Sequence, residues 1–65
     1  MKPVRKGQIV KFHSPMKDED PEQLYVILEV KGDGDDARLD IQALDTGMMF
    51  PPVSTVMVED LVVVA

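Results

Sequence analysis

The stretch Leu24-Tyr25-Val26-Ile27-Leu28-Glu29-Val30, Lys31-Gly32-Asp33-Gly34-Asp35-Asp36, Ala37-Arg38-Leu39-Asp40-Ile41-Gln42-Ala43 decides the fold. Its last part alternates, with Ala37, Leu39, Ile41 and Ala43 on one face and Arg38, Asp40 and Gln42 on the other. Successive side chains of a strand point to opposite faces, so this pattern predicts a half-buried antiparallel strand. Its first part is apolar at nearly every position and rich in β-branched residues, which predicts a central strand. Leu24, Val26, Leu28 and Val30 are expected to point inward, and Tyr25, Ile27 and Glu29 outward. The intervening Gly and Asp residues tolerate positive φ and bond their own backbone, so they predict a hairpin loop.

Working outward, Gly7-Gln8-Ile9-Val10-Lys11-Phe12 reads as a first strand. A loop from His13 to Gln23 follows, because Ser14-Pro15 and Asp20-Pro21 break any regular ladder. After Ala43 the chain turns at Asp45-Thr46-Gly47 and passes through Met48-Met49-Phe50-Pro51-Pro52. Ser54 to Val58 reads as a fourth strand, Glu59-Asp60 as a tight or 3₁₀ turn, and Leu61 to Val64 as the last strand. No segment carries ten residues of helical period. The expectation is one all-β domain over residues 1–65, with five strands and a short 3₁₀ turn before the last.

The opening Lys6-Gly7-Gln8-Ile9-Val10-Lys11-Phe12 resembles the first strand of KOW-type domains. The ending Val58-Glu59-Asp60-Leu61-Val62-Val63 resembles the way SH3-like small barrels close. The resemblance covers most of the chain as a pattern and implies a five-stranded SH3-like barrel. Its KOW/Tudor-like side implies contact with RNA or DNA. Fold alone does not assign function.

Composition narrows the classes. With 45% hydrophobic and 29% charged residues, the chain has the balance of a folded globule and not of a disordered segment. It has no cysteine, which excludes disulfides and thiolate metal sites and points to a reducing interior, or to help from a partner or a second copy. The basic start is followed by no long apolar run, and Leu61 to Ala65 is too short to cross a bilayer. A cytoplasmic protein without membrane contact is expected. The net charge is −5, unevenly spread. Lys2, Arg5, Lys6 and Lys11 give the first eleven residues +4, while the rest carries three basic against twelve acidic side chains. Most of such a surface repels phosphate backbones.

No motif supplies the parts of an active site or a cofactor site. Asp45-Thr46-Gly47 looks like an aspartic-protease signature, but no glycine follows Gly47 to support such a loop, and a strand-ending turn explains it. Asp33, Asp35 and Asp36 suggest a calcium loop, yet Leu44 stands where a bidentate Glu is needed. Counting from Asp18 and Asp20 reaches Glu29, but Gln23 takes the glycine position. His13 is the single histidine, which leaves zinc without a ligand set. Ser14 and His13 are expected to point in opposite directions, as neighbours in a strand do. The expectation is a non-catalytic chain that needs no cofactor.

Two candidate binding surfaces remain. Met48-Met49-Phe50-Pro51-Pro52-Val53 is uncharged, and its methionines suit adaptable contacts while the proline pair stiffens it. Two readings stand side by side. Either Met49 and Phe50 fold back to plug an open barrel end, or the segment is an exposed contact for a protein partner or a second copy. In the second, the acidic loop Asp18 to Glu22 would form its charged rim. Ile27, Val62 and Val64 are read as outward-facing and would also be covered by a second copy. The alternative surface is a nucleic-acid edge of Lys6, Lys11 and Arg38, with Tyr25 as the stacking ring. A more distant alternative is an acidic mimic of nucleic acid.

Overall fold

The computed structural model describes residues 5–17 and 20–65. Lys2 of the basic terminus and Asp18 and Glu19 of the acidic rim lie outside them. The chain forms β1 (Ile9–Phe12), β2 (Tyr25–Lys31), β3 (Arg38–Ala43), β4 (Val53–Met57) and β5 (Leu61–Val63). Two 3₁₀ turns occur, at Gly34–Asp36 inside the hairpin loop and at Val58–Asp60 before β5. The second is the turn expected at Glu59-Asp60. All pairings are antiparallel, and the order across the sheet is β4-β3-β2-β1-β5.

The closed SH3-like barrel is not formed. β4 and β5 stand at the two ends of the strand order and are not bonded to each other, so the sheet is open. It is nevertheless strongly curled. A flat sheet of five strands would hold its outer strands about 19 Å apart. Met57, the last residue of β4, is only four residues from Leu61, the first of β5, and a 3₁₀ path of that length covers about 8 Å. One corner is therefore drawn together while the rest stays apart. Val58 and Leu61 are buried in that corner. Val58 N–H donates to Ala37 O at 3.4 Å, and His13 N–H donates to Asp60 O at 3.3 Å.

The buried core comprises Val10, Ile27, Ala37, Leu39, Ile41, Val58 and Leu61, with Phe12, Tyr25, Val30, Val56 and Val63 packed around it. The alternation read in β3 holds, since Ala37, Leu39 and Ile41 are all buried. The phase read in β2 does not. Ile27 is buried and Tyr25 packs against the core, whereas Leu24, Val26 and Leu28 are only half-buried. The reason is a bulge. Ile27 pairs with Ile41 but Glu29 pairs with Asp40, so Leu28 is an extra residue that reverses the alternation. Val30 then returns to the core face opposite Leu39. Of the other residues read as outward, Val62 is half-buried and Val64 exposed.

Lys31, Asp40 and Thr55 link three strands. The Asp40 carboxylate accepts from Thr55 Oγ1 at 2.7 Å and pairs with Lys31 Nζ at 3.2 Å. Among the described residues no helix is long and apolar enough to cross a membrane.

The bulge gives a sharp expectation. Ile27→Ala should destabilise by about 2–5 kcal/mol, comparable with the roughly 3–5 kcal/mol total of so small a domain. Leu28→Ala should cost about 1 kcal/mol or less. Urea unfolding of both variants checks this, and the reverse ranking would restore the uninterrupted alternation.

Candidate functional site

The segment singled out for contact leaves β3 through a turn with two left-handed residues, Asp45 at φ 55° and Gly47 at φ 75°. Aspartate is among the few side chains that tolerate this region, and glycine has no Cβ to resist it. Asp45-Thr46-Gly47 is thus a strand-ending turn. Met48 N–H donates to Thr46 Oγ1 at 3.1 Å, and Gln42 Nε2 donates to Pro51 O at 3.1 Å. The first closes a turn within the loop, and the second ties the loop's far end to β3.

Between them, the apolar side chains face solvent. Met49 is 87% exposed, Phe50 84%, Met48 56% and Val53 52%. Pro51 is half-buried and Pro52 exposed. The reading in which Met49 and Phe50 plug the core is overturned. Met49 and Phe50 stand in solvent beyond the Val53 end of β4, whereas the Val58–Leu61 corner follows its Met57 end.

At the loop's root lies a small recess of about 220 Å³, lined by Asp20, Glu22, Gln23, Leu24, Leu44 and Asp45. Gln23 Nε2 donates to the carbonyls of Leu24 and Leu44, both at 2.8 Å, and Leu44 N–H donates to Leu24 O at 2.9 Å. Glu22 N–H donates to Asp20 Oδ1 at 2.9 Å. Asp20 and Glu22 were expected as part of the rim. Asp45 was not, because only the fold brings its turn beside theirs. The recess therefore carries acidic groups next to half-buried leucines, beside an uncharged apolar loop.

The basic residues are not gathered in the same way. Arg5 and Lys6 line a wide, open recess of about 720 Å³ with Leu28, Glu29 and Val30. Lys11 is opposite Val62 on β5, beyond the turn in which Gln8 N–H donates to Arg5 O at 3.3 Å. Arg38 lies opposite Lys31 and Met57, with its Nη1 3.3 Å from Met57 Sδ. Tyr25 is not on the outward face. It is half-buried, with its ring edge-on to Phe12 at 5.3 Å between centroids and 81° between planes.

A second correction concerns His13 and Ser14. They do not point apart, because the chain bends there after β1 ends at Phe12. His13 Nδ1 is 2.8 Å from Ser14 Oγ, and Nε2 is 2.7 Å from Glu59 O. A carbonyl oxygen can only accept, so Nε2 carries the proton in this pair. In the neutral ring Nδ1 then accepts from the Ser14 hydroxyl. His13 thereby ties the end of β1 to the 3₁₀ turn before β5. Among the described residues, no group of three or more His, Cys, Asp or Glu side chains is arranged to hold a metal ion.

Comparison with protein-family models, curated proteins and solved structures finds no match to this chain.

The sheet that carries the loop responds to acid in a specific way. The Thr55 hydrogen bond, and next the Lys31 ammonium, hold the Asp40 carboxyl below its ordinary value of 3.8. A lowered folded-state value means that the contribution to stability is present above about pH 4 and is lost as pH falls through the folded value. Asp40→Asn is therefore expected to flatten the loss of stability between neutral pH and pH 3, measured by urea unfolding across that range. An unchanged acid slope would remove Asp40 as its source.

Proposed function

We propose that this chain is a non-catalytic protein-binding module, an accessory domain of the cytoplasm built on an SH3-like plan, whose anchor is Met48, Met49, Phe50, Pro51 and Pro52. The observation that carries this reading is the exposure of Met49 and Phe50 on a loop tied to β3 by the Gln42–Pro51 hydrogen bond. A domain with a core of seven buried residues leaves its two largest side chains of that loop in water. Covering them would remove roughly 300 Å² of apolar surface, about 7 kcal/mol before the losses of association. The Gln42–Pro51 bond and the proline pair reduce the ordering entropy lost on binding. The acidic recess at the loop's root favours a partner whose contact surface places a basic group beside an apolar one.

The nucleic-acid reading rests on Lys6, Lys11 and Arg38. With Tyr25 packed on Phe12, that reading lacks the exposed ring on which a base would stack. Its distinguishing property would be affinity that falls steeply with salt.

Phe50→Asp is expected to change unfolding stability by no more than about 0.5 kcal/mol, since the ring makes little use of the core. The same variant is expected to lose protein capture in a nuclease-treated pull-down, while Lys6→Glu/Lys11→Glu retains it. Unfolding of Phe50→Asp would show that the ring belongs to the core and remove the main support for the proposal. Nucleic acid recovered by the wild type and lost with the lysine variant would favour the alternative.

A further inference from the structure

Ser14, His13 and the Glu59 carbonyl form a chain of hydrogen bonds that the contact loop does not use. Ser14 Oγ lies 2.8 Å from His13 Nδ1, and His13 Nε2 lies 2.7 Å from Glu59 O. The carbonyl takes the Nε2 proton, so in the neutral ring Nδ1 keeps its lone pair and accepts from the Ser14 hydroxyl. These are the parts of an activated nucleophile: a hydroxyl, a base within hydrogen-bond reach of it, and a third group that fixes the base. The first two are neighbours in sequence. The third comes from the 3₁₀ turn 46 residues further on, so the fold is what holds the ring in the tautomer that leaves Nδ1 to accept.

The surroundings suit an uncharged ester. His13 and Ser14 are both exposed, so the hydroxyl is accessible. They open on a recess of about 270 Å³ lined also by Phe12, Met16 and Asp60. Phe12 and Met16 offer an apolar wall to a short acyl chain, while the Asp60 carboxylate repels an anionic ester. Ser14 is followed by Pro15, which has no N–H. The amide after a nucleophilic serine is a common oxyanion donor. Without it, transfer of the acyl group onward to water gains no help from that position. A serine alkoxide is also a poorer leaving group than a phenolate, so an acyl group taken from an aryl ester stays on the serine.

We propose that Ser14 is an acyl-acceptor site, which takes a short uncharged acyl group from an activated ester with His13 as the base. Ser14 Oγ bonds to the carbonyl carbon as its proton passes to His13 Nδ1. The bond from that carbon to the leaving oxygen then breaks, and the proton passes from Nδ1 to the departing oxygen. The ring ends neutral, with one acyl group bound per chain and no turnover. The site belongs to the Val58–Leu61 corner, beyond the Met57 end of β4, whereas the contact loop precedes Val53. It therefore stands whether or not that loop binds a protein.

The test treats the full chain with p-nitrophenyl acetate, follows nitrophenolate release and maps the labelled peptides. The wild type is expected to carry one acetyl group on Ser14, removed by hydroxylamine as an ester is and a lysine amide is not. Labelling of Ser14 should be about 100-fold faster in the folded chain than in urea, the lower end of what a positioned base contributes. Ser14→Ala should abolish the hydroxylamine-labile label. His13→Gln keeps an amide N–H able to reach Glu59 O but offers no proton-accepting nitrogen. It should slow labelling of Ser14 to the rate in urea, with unchanged far-UV circular dichroism. Label confined to lysines and the amino terminus overturns the proposal. So does a rate at Ser14 that urea leaves unchanged, or that a folded His13→Gln variant retains. If His13→Gln does not fold, the comparison with urea decides.

Discussion

The corner at Val58–Leu61 is the constraint on which the rest of this structure depends. A three-residue 3₁₀ turn links strands that stand at opposite ends of the sheet order. That short link forces the sheet to curl, and the curl gives a single sheet an inside. Ala37, Leu39 and Ile41 of β3, Val10 of β1 and Ile27 of β2 can then share one core with Val58 and Leu61. His13 reinforces the same corner from β1 by bonding the carbonyl of Glu59. Without it, each strand would present its apolar side to water, since among the described residues no second layer covers the sheet.

What is left outside lies at the other end of β4. Beyond Val53 the β3–β4 loop projects, with Met49 and Phe50 in solvent. The curl stops short of joining β4 to β5, so an uncharged β4 keeps one side of its backbone open. Loop and edge are continuous in sequence and in space. Together they form the longest uncharged run of an otherwise acidic chain.

How much of this was legible in the sequence follows from the physics of each segment. The alternation of Arg38–Ala43 gives its faces directly, because one polar residue separates each apolar pair. The run Leu24–Val30 has no such contrast, so its phase was free and a bulge at Leu28 decided it. Tyr25 changed sides with that bulge, and the stacking platform it suggested was lost. The uncharged loop was visible as a composition break, but composition cannot tell whether an apolar segment turns in or out. That depends on whether the folded sheet offers the segment a core contact, and here Met49 and Phe50 stay exposed.

The neighbourhood of His13 and Ser14 makes the same point at close range. A strand period sets adjacent side chains apart, yet the chain leaves its extended conformation after Phe12 and the two side chains bond. Local pattern, turn chemistry and charge spacing thus determined the class of fold, the number of strands and the position of the last turn. These follow from forces between residues a few positions apart. The openness of the sheet, the phase of β2, the acidic recess of Asp20, Glu22 and Asp45, and the exposure of Met49 and Phe50 were decided only in three dimensions. Each depends on how distant segments compete for one small core, and that competition leaves no periodic trace in the chain.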